Sequence, residues 1–129
     1  MNTITSGMNV NQGDIILIPF PFSDLSQTKR RPSIIISNHE YNSNNEDVIC
    51  CAITSNPRNY DQSVKIVNED LDSGNLYYES RVKPTKIFTL NKRMIVKKLA
   101  QLNIIKSKEI VKNLTNSIEI NDRVATDIN

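Results

Sequence analysis

Pro19, Pro21 and Pro32 constrain this chain more than any other residues, because they fall in or beside its two most apolar runs. In the stretch Gly13 to Ser37, GDIILIPFPFSDLSQTKRRPSIIIS, the run Ile15 to Ile18 leads into Pro-Phe-Pro-Phe, and prolines at that spacing exclude a helix. A strand is compatible with them if its far end lies on an edge, where the missing N–H is not needed. Ser23 to Lys29, with Asp24, Ser26 and Thr28, has turn chemistry, and Ser33 to Ser37 returns as a second strand. The two read as a hairpin with a long loop. Pro32 fixes its own φ and biases Arg31 towards an extended backbone, so Lys29, Arg30 and Arg31 are expected to project from a rigid sheet edge in a defined direction. That is one way to build an anion site.

Further along, Asn38 to Asp47 reads as a polar surface loop, Val48 to Thr54 as a third strand and Val64 to Val67 as a fourth, closed by an acidic turn over Asn68 to Gly74. Arg81 to Thr89 is a fifth strand, with Pro84 marking an edge or bulge. The segment Ile95 to Leu102 fits helical spacing as well as a strand. Ser107 to Ile118 is the clearest helix, with Ser107 as its cap and Ile110, Val111, Leu114 and Ile118 on one face. The tail after Asn121 is expected to fray. Several short strands followed by one terminal helix predict a mainly β fold, a small antiparallel barrel with a C-terminal helix. At 129 residues and 38% hydrophobic, the chain is expected to form one domain over residues 1–129, with its core at about 11–120.

The inventory of reactive side chains excludes much. A single histidine, His39, rules out a two-histidine acid–base pair within one chain, and Cys50 and Cys51 sit in an apolar run where they read as buried reduced thiols. No CxxC or HxxxH spacing suggests zinc, and Glu69, Asp70 and Asp72 read as a solvated turn, so neither a metal site nor a cofactor is expected. Three glycines in all leave no Gly-rich phosphate cradle. The N-terminus has neither a basic nor an apolar leader region, and no run reaches the roughly 18 apolar residues of a membrane span, so a cytoplasmic protein is expected. Charge is unevenly spread: Glu79 to Lys112 carries ten Lys/Arg against two acids, and the rest of the chain is net negative. Such asymmetry suits a polyanion, and Arg81, Lys83 and Lys98 are the expected contacts from this stretch. The remaining chemistry is guanidinium, ammonium and hydroxyl, which fits a phosphodiester. RNA brings its own nucleophile, the 2′-OH, if a protein aligns it and stabilises the charge on phosphorus.

GDIILIPFPF followed by a loop and RRPSIIIS, then CAITSN at Cys51 to Asn56 and RVKPTKIFTLNKRMIVKKLAQL at Arg81 to Leu102, together resemble the MazF/PemK/Kid family of toxin endoribonucleases. The resemblance runs from Gly13 to about Ile118. It implies an SH3-like barrel with a C-terminal helix, of the MazF/CcdB kind, a strand rather than a helix at Ile95 to Leu102, and a homodimer. It also implies metal-independent cleavage of single-stranded RNA that leaves a 2′,3′-cyclic phosphate and a 5′-OH, and a cognate antitoxin whose disordered C-terminal segment covers the RNA groove. Position by position, the arginine before the proline falls on Arg31 and the threonine closing the third strand on Thr54, which are the expected catalytic pair. Ser55 and Asn56 follow in matching positions to hold phosphate or base, and Lys29 and Arg30 are expected to position the RNA backbone. The loop Ser23 to Lys29 departs from the Gly-rich, Glu-containing form of well-known members, and Gln101 stands where members often carry glycine. Two alternatives remain at this stage: a non-catalytic barrel that binds RNA or a protein, and a topoisomerase poison of related fold.

Overall fold

The computed structural model describes residues 9–20, 29–58 and 61–122. Seven strands form one antiparallel sheet: β1 (Asp14–Phe20), β2 (Lys29–Ile35), β3 (Asp47–Thr54), β4 (Val64–Ile66), β5 (Leu71–Gly74), β6 (Ser80–Asn91) and β7 (Lys97–Leu102). A short helix, α1 (His39–Asn44), joins β2 to β3, and α2 (Ile104–Ile118) follows β7. The spatial order is β4-β6-β3-β2-β1-β7-β5. The sheet curls into a half-barrel with the C-terminal helix, the mainly β architecture that the sequence predicts. Among the described residues no helix is long and apolar enough to cross a membrane.

Two cores lie on the two faces of this sheet, as the period of two requires. On one face Ile15, Ile34, Cys51, Ile53, Val64, Ile66, Val82, Ala100 and Leu102 close around Ile110 of α2. On the other, Ile16, Ile18, Ile35, Val48, Cys50 and Ile95 gather under Val10. The adjacent cysteines therefore enter different cores, both fully buried and free. Burial pushes each thiol from about 9 up to about 12, with the neighbouring Cys51 adding to the rise at Cys50.

The prolines act locally. The β1/β7 ladder ends at Leu17↔Lys97, so Pro19 lies past it and withholds no bond on that side. Pro32 pairs with Leu17 of β1, whereas the β2/β3 ladder starts one residue later, at Ser33↔Ala52. A residue without an N–H thus ends the zipping of β2 to β3. Pro84 falls in the expected bulge: the β3/β6 register jumps from Cys51↔Ile87 to Ala52↔Lys83, and the Pro84 carbonyl accepts from Cys51 Sγ at 3.3 Å.

Several expectations need correction. Lys29, Arg30 and Arg31 belong to β2, paired with β1 beyond the end of the β2/β3 ladder, not to a loop. The loop Ser23 to Lys29, Asp24 included, lies outside the described residues up to Thr28. Asn38 to Asp47 is not simply a loop: Asn38 caps α1 by accepting from Tyr41 N at 3.0 Å. Asn68 to Gly74 holds a 3-10 turn and then β5. Its last residue, Gly74, has φ +80, and a Cβ there would lie 2.2 Å from the Leu99 carbonyl oxygen, so only glycine lets β5 close against β7. The C-terminal helix begins three residues earlier than expected, capped by Asn103, whose Oδ1 accepts from Lys106 N at 2.8 Å. Ile95 to Leu102 contributes the strand β7, as the family resemblance implies.

The thiols generate a pH prediction. Unfolded, they ionise near 9; folded, they hold their protons to about 12, so their contribution is complete below pH 9 and is lost as pH rises through that window. Urea midpoints measured at pH 8 and pH 10.5 are expected to fall more steeply for the native chain than for a Cys50→Ala/Cys51→Ala variant, whatever the variant's lower starting stability.

Candidate nucleic-acid interface

The placement of Arg31 follows from the β2 register. Ile34 enters the core with α2 and Ile35 the opposite one, so alternation sends Lys29, Arg31 and Ser33 to the Ile35 face and Arg30 to the other. The basic triplet is thereby split: Lys29 and Arg31 share a face, and Arg30 does not join them. Carrying the β2/β3 register two residues past Ser33↔Ala52 sets Arg31 across from Thr54. On its other side Thr54 pairs with Arg81 of β6, which pairs in turn with Lys65 of β4. Four strands thus present Arg31, Thr54, Arg81 and Lys65 in a single row, on the face away from α2.

Because the β2/β3 ladder stops at Ser33↔Ala52, Arg31 and Thr54 stand at its open end. Arg31 is exposed and Thr54 half-buried. The Thr54 Oγ1 accepts from Asn56 N at 3.1 Å, and Asn56 Oδ1 accepts from Arg58 N at 2.9 Å. These bonds shape the turn Thr54-Ser55-Asn56-Pro57 and occupy acceptor sites, so the Thr54 hydroxyl proton is available for donation to a ligand oxygen. Ser55 and Asn56 are exposed beside it. Ala52 pairs with Lys83, placing Lys83 one step along the same face from Arg81. Lys65 Nζ lies 3.4 Å from Glu79 Oε1, with both side chains about half exposed, so the pair is solvent-screened. Neither Lys65 nor Glu79 was expected from sequence, although Lys65 alternates with buried Val64 and Ile66, a period-two signal in a strand of three residues.

Lys98 is different. Its Nζ lies 3.2 Å from Oδ2 of Asp14, a fully buried carboxylate that also accepts from Asn11 N at 2.8 Å and from Gln101 Nε2 at 3.1 Å. Gln101 thus anchors the Asp14 carboxylate beside the β1/β7 bulge. Lys98 is two strands from Arg31 and engaged in the scaffold. The basic run of the sequence is likewise no single patch: Arg81 and Lys83 are on β6, Lys97 and Lys98 on β7, with three strands between them, and Lys106, Lys108 and Lys112 on α2. Lys92 is buried, its ammonium donating to the Asn42 carbonyl of α1. Among the described residues no three His, Cys, Asp or Glu side chains gather as a metal site.

Residues 11–118 match the family of PemK-like, MazF-like toxins of type II toxin–antitoxin systems. The chain belongs to that family. Among solved structures it is similar to an endoribonuclease in complex with its cognate antitoxin from a mycobacterial species, at TM-score 0.71 and 17% identity, covering 89% of this chain and 100% of that one. It is also similar to MazF from Deinococcus radiodurans (TM-score 0.68, 20% identity, 88% and 99% covered) and to the Mycobacterium tuberculosis toxin MazF-mt6 (0.66, 15%, 84% and 99%). At these identities the likeness establishes the fold. No curated protein sequence matches the chain significantly.

Lys98 generates the second prediction. Replacing it by methionine removes a charged partner from a fully buried carboxylate, which is expected to cost about 1–3 kcal/mol in chemical denaturation. RNA affinity, compared at matched folded fraction, is expected to stay within about twofold.

Proposed function

We propose that this toxin is a metal-independent endoribonuclease that cuts single-stranded RNA by attack of a 2′-OH on the adjacent phosphorus. The 2′-O–P bond forms as the P–O5′ bond breaks, leaving a 2′,3′-cyclic phosphate and a 5′-OH. The observation that carries this reading is the cross-strand row, in which a guanidinium and a hydroxyl face each other at an unzipped strand end with a second guanidinium beside them. Arg31 is assigned to charge on the phosphorane oxygens, since its planar fork fits two of them. Thr54 donates its hydroxyl proton to a phosphoryl oxygen. Lys29, Lys83, Ser55 and Asn56 line the same end of the sheet and hold flanking backbone or base. The 2′-OH proton passes to solvent rather than to Arg31, because a guanidinium is a poor base, and O5′ takes a proton from solvent as it leaves. The burial-raised thiols are poor nucleophiles at neutral pH, in keeping with a mechanism that uses none.

Two partners complete the reading. Helix α2 leaves Ile104, Ile105, Val111 and Ile118 exposed, an apolar face that a second copy of the chain would cover in a homodimer. The antitoxin is assigned to the RNA face, where an acidic segment that folds on binding competes for the same cations. Two similar solved structures, an endoribonuclease in complex with its cognate antitoxin and MazE–MazF from Deinococcus radiodurans, favour an antitoxin as partner.

Purified protein is expected to cut mixed-sequence single-stranded RNA in EDTA and to spare duplex RNA and DNA. Arg31→Ala is expected to slow cleavage on the order of 10²- to 10³-fold. Its affinity for an uncleavable 2′-O-methyl RNA is expected to fall only modestly, as one phosphate contact among several. End-group analysis and fluorescence anisotropy read the two. Wild-type cleavage by Arg31→Ala would sink the assignment, and RNA binding with no cleavage by the native chain would favour the non-catalytic barrel.

In sedimentation at micromolar concentration a dimer is expected, and an acidic C-terminal antitoxin peptide is expected to displace bound RNA. Simultaneous saturation by both ligands would contradict a shared face.

A further inference from the structure

Among the described residues, Ser63 Oγ and Arg81 Nε are buried side-chain atoms with no hydrogen-bond partner. Arg81 lies on β6, and Ser63 immediately precedes its neighbour β4. The β4/β6 register runs through Lys65↔Arg81 and Val64↔Val82, and carried back one residue it sets Ser63 across from Lys83 and diagonal to Arg81. Val64 and Ile66 point into the core, so alternation gives Ser63 and Lys65 to the opposite face, that of Arg81 and Thr54. An unpaired buried donor costs about 1–3 kcal/mol, and native structures leave few of them. Here two fall in one corner of the cationic row.

The surroundings hold this corner in place. Gln62, at φ 59, turns the chain into β4, and its carbonyl accepts from Asn113 Nδ2 of α2 at 3.1 Å. Glu79, the acid nearest along β6, is engaged with Lys65 at 3.4 Å. An O–H and a guanidinium N–H beside two lysines form a donor set for an anion. Arg81 stands two interstrand spacings from Arg31, roughly 10 Å. That places its anion apart from the one at Arg31 but on the same face, as a polymer with regularly repeated charge requires.

We infer that Ser63 and Arg81 form a second phosphate subsite, which grips a phosphodiester flanking the one that is cut. This rests on the proposed RNA substrate and extends it: the strand is held on the β4/β6 side of Thr54 while Arg31 acts on the other.

The test is a cycle between protein and RNA variants. A 2′-O-methyl oligonucleotide bracketing a mapped cleavage point is prepared with one phosphodiester at a time replaced by an uncharged methylphosphonate. Binding to native, Ser63→Ala and Arg81→Gln proteins is read by anisotropy. One flanking replacement is expected to weaken binding to the native protein about five- to tenfold, and to change binding to either variant less than about twofold, because variant and replacement remove the same contact. Losses that add at every position would overturn the subsite. So would variants that bind every RNA as the native protein does yet lose an acidic antitoxin peptide, since the site would then serve carboxylates. Thermal melting separates a structural role: Ser63→Ala is expected to melt no lower than the native chain, having no bond to lose, and a drop of several degrees would overturn the assignment. Because the oligonucleotide is not cut, cleavage of ordinary RNA without coupling removes the subsite alone. Coupling without cleavage supports the subsite and removes the catalytic reading.

Discussion

The register of β2 is the constraint on which the site depends. Ile34 and Ile35 are both buried, on opposite faces, and each fills a different core. A slip of one residue would exchange their faces and drive Arg31 towards the core around α2. The hydrophobic effect therefore fixes where a guanidinium stands, although that guanidinium takes no part in the packing. Pro32 then adds its own effect. It preserves the strand direction, ends the ladder to β3, and so leaves Arg31 and Thr54 opposite each other without backbone zipping beyond them.

Cations in this fold divide into scaffold and surface, and charge counts along the chain do not reveal which is which. Lys98 compensates the buried Asp14, and Lys92 closes the C-terminal end of α1 by way of the Asn42 carbonyl. Asn42 itself is buried and exchanges hydrogen bonds with Ser37, whose Oγ also accepts from Ile49 N at 2.9 Å. Truncating such lysines would be felt first in folding, because Lys98 is the charged partner of a buried carboxylate and Lys92 donates to a buried carbonyl. Arg31, Arg81 and Lys83 stand on strands whose register the two cores fix.

What was legible in the sequence follows the same division. Strands with long β-branched runs, such as DVICCAIT, announce themselves, and so does the proline-marked hairpin. β5, LDSG, has only half-buried Leu71 and three exposed residues, so its pairing arises from the backbone of β7 rather than from any pattern of its own. The short α1, HEYNSN, rests on capping by Asn38 and on buried Asn42, and has no apolar period to read. For the site, family resemblance singled out Arg31 and Thr54, and register shows why they meet. Sequence proximity does not show that alternation sends Arg30 to the other face, or that Lys98 pairs with a carboxylate 84 positions away that only folding buries. Ser63 carried no signal, because an unpaired hydroxyl is a property of its surroundings.

A corner with two orphaned donors is a poor way to stabilise a small domain, and elsewhere among the described residues the buried side-chain polar atoms have partners. Asp14 has three donors, and the buried pair Ser37 and Asn42 exchange hydrogen bonds. Against that background the exceptions at Ser63 and Arg81 fall beside the row of Arg31, Thr54, Arg81 and Lys65. Donors that are desolvated before the ligand arrives lose little further hydration on binding, and their positions are fixed by strand and helix contacts rather than by the ligand. In the proposed RNA complex the stability given up in the free protein would be recovered, which would tie the affinity of this face to the rigidity of the sheet beneath it.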